Sequence, residues 1–549
     1  MKRSGAQIII EQLCAHGVTT VFGYPGSAVL PLYDELYKNA HRIHHIITAH
    51  EQGAAHAADG YARASGKTGV VITTSGPGAT NIVTGIANAY LDSVPLVAIT
   101  GNVDVPLLGK DSFQEVDIVG ITQPVVKHNF VVRDIEELEF TLHEAFRIAG
   151  SGRKGPVLVD IPRDIQTELC TYQDIKPADP LVPEQKWGDL QEALQAIAAA
   201  KRPYIYAGGG VVASGAWEEL LAFSRRICAP VGLSMMGMTA LPASYEWNLG
   251  MCGMHGTYAA SLAESESDLL IALGVRFSER ATGDIESYRK NRMILHIDID
   301  LSEIDKNVPS QIGICGDIKA VLHALLEALP KKKNDPWLQR AAQLKSMQTV
   351  PLRDSFSPKN IIETVSRYCS ADTLIATDVG QHQMWTMLYY PFEKPRTLLT
   401  SGGLGTMGYG LGAAIGGCIA LGGRQTVLFT SDGSFGMNLG ELATAVSQEL
   451  PITIVILNNH ALGMVRQWQT MFYEGRYSQT TLRRKTDFAA LAEAFGAAGY
   501  SAATLQQLED ALKRASKNGP IVIDCPIDID EKVLPMIPPG GCVEDIITS

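Results

Sequence analysis

A chain of 549 residues exceeds what one hydrophobic core can organise and predicts about three domains of ~150–200 residues each. Its 46% apolar content, 52 glycines and sparse aromatics fit layered α/β units. A formal net charge of −12 argues against a nucleic-acid partner, and no apolar run reaches the ~18–20 residues that span a bilayer.

Nine cysteines lie scattered without CxxC or metal-type spacing and read as reduced, buried thiols of a cytoplasmic protein. The opening MKRSGAQIIIEQL passes straight into an amphipathic pattern, so neither a secretory signal nor a transit peptide is expected. Residues 1–168 alternate helical and strand patterns: 8–16 helical, 20–22 a short strand, then the turn Gly23-Tyr24-Pro25-Gly26-Ser27. Apolar runs at 69–72, 96–100 and 157–161 predict parallel strands. A polar, proline-bearing segment near 171–186 predicts a linker. A second block, 188–330, has expected strands at 204–206, 269–273 and 294–299. Residues 327–354, with KKKNDP, predict a second linker, and Lys331-Lys332-Lys333 reads as part of its solvated surface. A third block, 357–549, opens with a helix and a strand at 373–377 and closes with a strand at 521–524. The expected fold class is α/β, with three doubly wound parallel-sheet domains.

The third block carries the most informative stretch. An apolar run at 427–429 meets Asp432-Gly433-Ser434; a helix-period segment follows, with Leu439, Leu442, Ala443 and Val446 on one face. A second apolar run, 452–457, stops at Asn458-Asn459. Parallel strands joined by a right-handed crossover bring their ends to one sheet edge, so Asp432 and Asn459 offer two hard oxygens to Mg²⁺. The glycine and the following helix N-terminus favour a diphosphate. Taken alone, such a DG…NN pair is better read as an ordinary βαβ unit with polar turns. In the first block, Glu51 opens an Ala-rich helix after Thr48-Ala49-His50, where a carboxylate compensates the helix dipole. Ser75-Gly76-Pro77-Gly78-Ala79-Thr80-Asn81 is a turn between strand and helix, weak as a motif by itself.

Read together and in order, these stretches resemble a known family. VFGYPG (21–26), HEQGAA (50–55), TSGPGATN (74–81), FQEVDIVGIT (113–122), KHNF (127–130) and SGRKGPVLVDIP (151–162) come first. GMHGT (253–257), TDVGQHQMW (377–385), TSGGLGTMGYGLGAAIG (400–416), LGMVRQWQ (462–469) and PMIPPGG (535–541) complete the set. The set is similar to the catalytic large subunits of acetohydroxyacid synthase, also called acetolactate synthase, within the thiamine diphosphate enzymes. The resemblance implies a pyrimidine-binding, a central FAD-binding and a diphosphate-binding domain, with Mg²⁺ held by Asp432, Asn459 and the Ala461 carbonyl. It gives Glu51 the role of holding the pyrimidine N1′ so that the 4′-nitrogen takes the C2 proton. Gly380, Gln381, His382, Gly433, Ser434, Leu462 and Gly463 would contact the diphosphate end. Gly405 would read the aminopyrimidine, and Met407 would bend the cofactor, although a gap-filling core methionine is the plain alternative. Phe113, Gln114, Met464, Val465 and Trp468 resemble the substrate pocket, with Trp468 selecting the acceptor and Arg280 holding its carboxylate. Arg153, Gly208, Gly209, Gly210, Met254, His255, Gly274, Arg276, Asp298, Ile299 and Asp317 sit where the family's flavin contacts lie. GGG after a strand is otherwise a weak phosphate-loop signal, and His255 an ordinary loop histidine.

The implied reaction is decarboxylation of pyruvate and transfer of the remaining two-carbon unit to pyruvate or 2-oxobutanoate. The products are 2-acetolactate or 2-aceto-2-hydroxybutyrate, precursors of the branched-chain amino acids. A homodimer or tetramer and a separate small regulatory subunit are the implied assembly. The sequence departs from the family pattern at Ser27, Lys110, Ser112, Arg163, Ser278-Glu279, Gly412 and Ser431. Two other readings stand beside this one: another ThDP- and FAD-dependent decarboxylase such as a pyruvate oxidase, and a degenerate paralogue kept as a binding partner. Product analysis separates the first, and intact Glu51, Asp432 and Asn459 argue against the second.

Overall fold

The computed structural model describes residues 2–172, 190–347, 355–515 and 519–548. Three six-stranded, wholly parallel sheets flanked by helices organise the chain. Nearly all of their central strands are apolar runs buried along their whole length, as strands with helices on both faces must be. The first sheet runs His44–Ile47, Thr20–Tyr24, Gly69–Thr73, Leu96–Asn102, Pro156–Pro162, His128–Val131. The third runs Leu398–Leu399, Leu374–Thr377, Thr426–Thr430, Ile452–Asn458, Ile521–Pro526, Ala498–Ser501. Counted within each sheet, both have the order 2-1-3-4-6-5. The second sheet runs Asn248–Met251, Val231–Leu233, Pro203–Ala207, Leu269–Leu273, Met293–Asp298, Ile312–Cys315, the 3-2-1-4-5-6 order of dinucleotide-binding folds. In such sheets ligands gather beyond the carboxyl ends of the strands where the order reverses. A short antiparallel pair, Lys2–Ser4 with Leu169–Thr171, ties the first domain's ends together.

The linker expected at 171–186 lies almost wholly outside the described residues. The one expected at 327–354 contains a helix, Asp335–Ser346, whose Trp337, Ala341 and Leu344 pack into the second domain's core. The Trp337 indole N–H donates to the Pro203 carbonyl at 2.9 Å. The helical spacing of those three residues was masked by the charged, proline-bearing KKKNDP run beside it. The helical face expected after Asp432 is also revised. The segment splits into Asp432–Asn438 and Glu441–Ser447, and the break at Gly440 resets the phase, so Ala445 is buried and Ala443 is exposed.

The first and third domains meet through two helices rich in Gly and Ala, Glu51–Ser65 and Tyr409–Ala420. Their backbones touch: a Cβ on Gly60 would lie 2.6 Å from the Ala413 Cα, and one on Gly416 would collide with the Ala57 carbonyl. Gly412, where the family usually has proline, faces the His56 Cβ, 2.8 Å from where its own would be. Gly416→Ala is expected to destabilise the folded chain by about 3 kcal/mol, the upper end of overpacking costs, because backbone must move. A urea-unfolding midpoint equal to wild type would contradict this.

Candidate active site

The reversal point of the third sheet lies between Leu374–Thr377 and Thr426–Thr430. Asp378, directly after the first of these, is buried and accepts from the Gly410 N–H at 2.8 Å and the Thr430 hydroxyl at 2.7 Å. That carboxylate fixes where the neighbouring loops start. Asp432 lies two residues past Thr430, at the edge predicted from the crossover. It is 3% exposed, its Oδ1 has no hydrogen-bond partner among the described residues, and burial pushes its carboxyl up to about 6. Asn459, beyond the adjacent strand, donates to Gln381 Oε1 at 3.2 Å and accepts from the Ala461 N–H at 3.2 Å. Gln381 is fixed in turn by Gln467 at 3.0 Å and the Glu531 carbonyl at 2.7 Å. Gly380 has φ +148°, and a Cβ there would press on the His382 ring at 3.0 Å. Burial lowers the His382 imidazole to about 3, so it is neutral, and its Nε2 lacks a partner among the described residues. The Ser434 hydroxyl donates to the Val379 carbonyl at 3.1 Å, and a Cβ on Gly433 would touch Leu462 at 3.2 Å. A cavity of about 50 Å³ brings Gly380, Gln381, His382, Met407, Asn459, Ala461, Leu462, Gly463 and Met464 together.

A buried carboxylate oxygen without a partner among the described residues, next to Ser431 on a cavity that Asn459 and Ala461 also line, fits a hard divalent cation. Among the described residues no three His, Cys, Asp or Glu side chains gather to hold a metal. An ion at Asp432 would therefore complete its shell with amide, carbonyl, water and phosphate oxygens.

A second cavity, about 1690 Å³, opens between the domains. Its size exceeds the ~300–1,000 Å³ of an ordinary small-molecule pocket and leaves room for a dinucleotide beside a second ligand. Arg153, Gly209, Gly210, Met254, His255, Gly274, Arg276, Asp298, Ile299 and Asp317 all line it, as do Gly405, Met407, Met464, Val465, Trp468 and Arg280. It sits at the reversal point of the second sheet. There the Gly210 and Gly274 backbones approach so closely that a Cβ on Gly274, φ +58°, would lie 2.5 Å from the Gly210 Cα. Gly208 supports this cradle, since a Cβ on it would collide with the Gly274 carbonyl. His255 is buried with Nδ1 unpartnered among the described residues, and burial lowers its imidazole to about 4. Glycine cradle, orphaned nitrogen and strand order fit a dinucleotide such as FAD. Two of the expected flavin contacts already have protein partners: Asp317 caps Ile318–Ala328, and Arg153 pairs with Asp300 and Glu303. On the opposite wall the Arg280 guanidinium lies 4.9 Å above the Trp468 ring and donates to the Met254 sulfur at 3.4 Å. Three residues singled out from distant stretches thus meet. The departure Glu279 stands beside Arg280, at 3.6 Å, in an exposed pair of small energetic weight.

The first domain presents a different cluster. Glu51 is the first residue of its helix, and its Oε2 accepts from the Asn81 amide at 2.9 Å. A Cβ on Gly78 would lie 3.5 Å from Oε1, so the glycine leaves that oxygen open. Gln114, at φ +59°, backs onto Gly76, itself at φ +57°. Phe113 is 83% exposed. Glu51, Phe113 and Gln114 line neither cavity of their own chain.

Residues 3–121 match the family described as thiamine pyrophosphate enzyme, N-terminal TPP binding domain; 190–325 match its central domain, and 378–525 its C-terminal TPP binding domain. The acetolactate synthase large subunit of Haemophilus influenzae is 44% identical across 100% of this chain and 98% of the relative. The isozyme 2 large subunit of Escherichia coli is 44% identical across 99% of both chains. The probable large subunit of Methanocaldococcus jannaschii is 45% identical across 99% of this chain and 95% of its own. This chain belongs to the acetolactate synthase large-subunit family.

In this acetolactate synthase homologue the structure adds a residue that sequence reasoning missed. Glu441, buried in the third domain, accepts from the Ala49 N–H at 3.2 Å and the His50 N–H at 3.0 Å. It fixes the backbone immediately before Glu51, and a Cβ on Gly53 would collide with it. No local spacing announces a pairing between residues this far apart in the chain. Among the departures, Ser431 keeps the turn intact by capping the Ser434 N–H at 3.4 Å.

Proposed function

We propose that two copies of this chain join pyruvate to a second 2-oxo acid, each active site built from the first domain of one copy and the third of the other. Bound thiamine diphosphate would supply the electron sink that decarboxylation of pyruvate and joining to pyruvate or 2-oxobutanoate require. Asp432, Asn459 and the Ala461 carbonyl would hold Mg²⁺ and, through it, the diphosphate. The observation carrying this reading is the buried Asp432 oxygen, without a partner among the described residues, next to Ser431 on a cavity that Asn459 and Ala461 also line. Glu51 would hold a proton at the pyrimidine N1′, and Glu441 keeps its helix start in place. Exposed Phe113, with Gln114 and Met464, would close the site against water, favouring joining over protonation. Arg280 is suited to the acceptor's carboxylate by its planar fork, and the Trp468 indole beneath it would select the acceptor by packing against its extra methyl group. FAD in the larger cavity would be structural, since the net reaction moves no electrons.

The assembly supported by this division of the site is a homodimer or a pair of dimers. "Large subunit" in the relatives' names supports a small regulatory partner. All nine cysteines are free thiols, which supports a cytoplasmic location. Among the described residues no helix is long and apolar enough to cross a membrane.

The test is product identification after incubation with pyruvate, Mg²⁺, thiamine diphosphate and FAD, with and without 2-oxobutanoate. Acetolactate and acetohydroxybutyrate are expected; acetate or acetyl phosphate with reduced flavin would contradict the reading. Trp468→Leu is expected to shift preference between the two acceptors by about tenfold or more, the scale of one methyl-sized contact. Competition of the acceptors in one reaction measures it.

A further inference from the structure

We propose that Asp92 and Asn88 of the first domain are positioning residues that hold loop 401–406 of the same chain in the shape that receives the cofactor's aminopyrimidine. The inference rests on the reading that Gly405 and Met407 face that ring. Loop 401–406 joins Leu398–Leu399 to Tyr409–Ala420 and contains Gly402, Gly403 and Gly405, with Gly408 just beyond. So glycine-rich a segment has little shape of its own and must take it from outside.

The outside support is specific. One Asp92 carboxylate oxygen accepts from the Gly402 N–H at 2.9 Å and the other from the Gly403 N–H at 2.7 Å. Arg63, itself almost wholly buried, holds that carboxylate at 2.9 Å. Its Nε binds Asp59, which accepts from the Tyr409 hydroxyl at 2.6 Å. Tyr409 is the first residue of the helix after the loop, so both ends of the loop are tied to one charged cluster. Asn88 closes it: its Oδ1 accepts from the Ser401 hydroxyl at 2.5 Å and the Thr406 hydroxyl at 3.3 Å, while its amide donates to Asp59 at 3.2 Å. Ser401 Oγ in turn accepts from the Thr406 N–H at 2.9 Å. An apolar contact would join two domains as firmly, and without the desolvation of two carboxylates and a guanidinium. A carboxylate gripping consecutive loop amides instead fixes backbone direction, as a fully satisfied buried network does. The loop's seat is tight as well, for a Cβ on Gly403 would press on Leu91 at 2.9 Å and Arg276 at 3.0 Å.

The full-length Asp92→Asn variant tests this with two probes in the presence of Mg²⁺: thiamine diphosphate, which needs both ends of the site, and inorganic pyrophosphate, which needs the diphosphate end alone. Tryptophan fluorescence is expected to report thiamine diphosphate binding weakened about tenfold or more, the scale of a lost charged hydrogen bond, with pyrophosphate unchanged. Equal weakening of both probes, or of neither, would overturn the proposal. Thr406→Val, a milder change that removes only the hydroxyl on Asn88, is expected to weaken thiamine diphosphate selectively by a smaller factor. If Asp92→Asn fails to fold and a folded Thr406→Val binds both probes as wild type, the proposal is likewise overturned. Wild-type protein that binds thiamine diphosphate no more tightly than pyrophosphate would remove the reading of the loop itself, a separate outcome.

Discussion

Glu51→Gln is expected to lower turnover about 10³-fold while thiamine diphosphate still binds, since proton transfer by a positioned side chain contributes ~10²–10⁴. The amide matches the carboxylate in size, so the helix start, the Glu441 bonds to Ala49 and His50 and the open face beside Gly78 all survive. What it lacks is a carboxylate that can hold a proton at N1′ and give it up. The Asn81 amide that serves Oε2 would find either an oxygen or a competing donor there, a loss of at most a few-fold in packing quality. Steady-state product formation together with a cofactor-binding isotherm separates the two effects. Unchanged turnover would refute the assigned role, and lost binding would assign Glu51 to anchoring instead.

The second large effect is expected at the other end of the cofactor. Asp432→Ala should weaken Mg²⁺-dependent binding of thiamine diphosphate by at least ~100-fold, because it removes a metal ligand outright, where losing a mere supporting group costs 10–100-fold. Without metal the sign reverses. A buried carboxylate with an unpartnered oxygen costs free energy when ionised, and burial raises it to about 6, so it is charged above that pH. Metal-free Asp432→Ala protein at pH 8 is therefore expected to unfold at a temperature no lower than wild type. A marked drop would mean that Asp432 holds the fold together rather than a cation.

Much of this was legible in the sequence. Long apolar runs ending in turn chemistry marked the buried central strands, from Gly69–Thr73 to Ile521–Pro526, because a strand covered on both faces has no reason to alternate. The edge strands His128–Val131 and Ala498–Ser501 escaped notice because half-exposed edges carry polar residues and short runs. Chain direction placed Asp432 and Asn459 at strand ends and Glu51 at a helix start, while the roles proposed for them came from the resemblance. Glu441, Asp92 and Asn88 were not found, because each acts on a segment more than 300 positions away, through packing that no local pattern encodes. The cation–π contact of Arg280 with Trp468 is of the same kind. Each residue was picked out, but their meeting belongs to the fold.

The central claim is that Glu51 and Asp432 of different chains serve one cofactor. Mixing the inactive Glu51→Gln and Asp432→Ala proteins under conditions that exchange subunits tests it most directly. Random pairing in a two-fold assembly gives mixed dimers with one doubly damaged site and one intact site, so about a quarter of wild-type activity should return. If both residues came from the same chain, every site would carry a lesion and the mixture would stay as inactive as its parts.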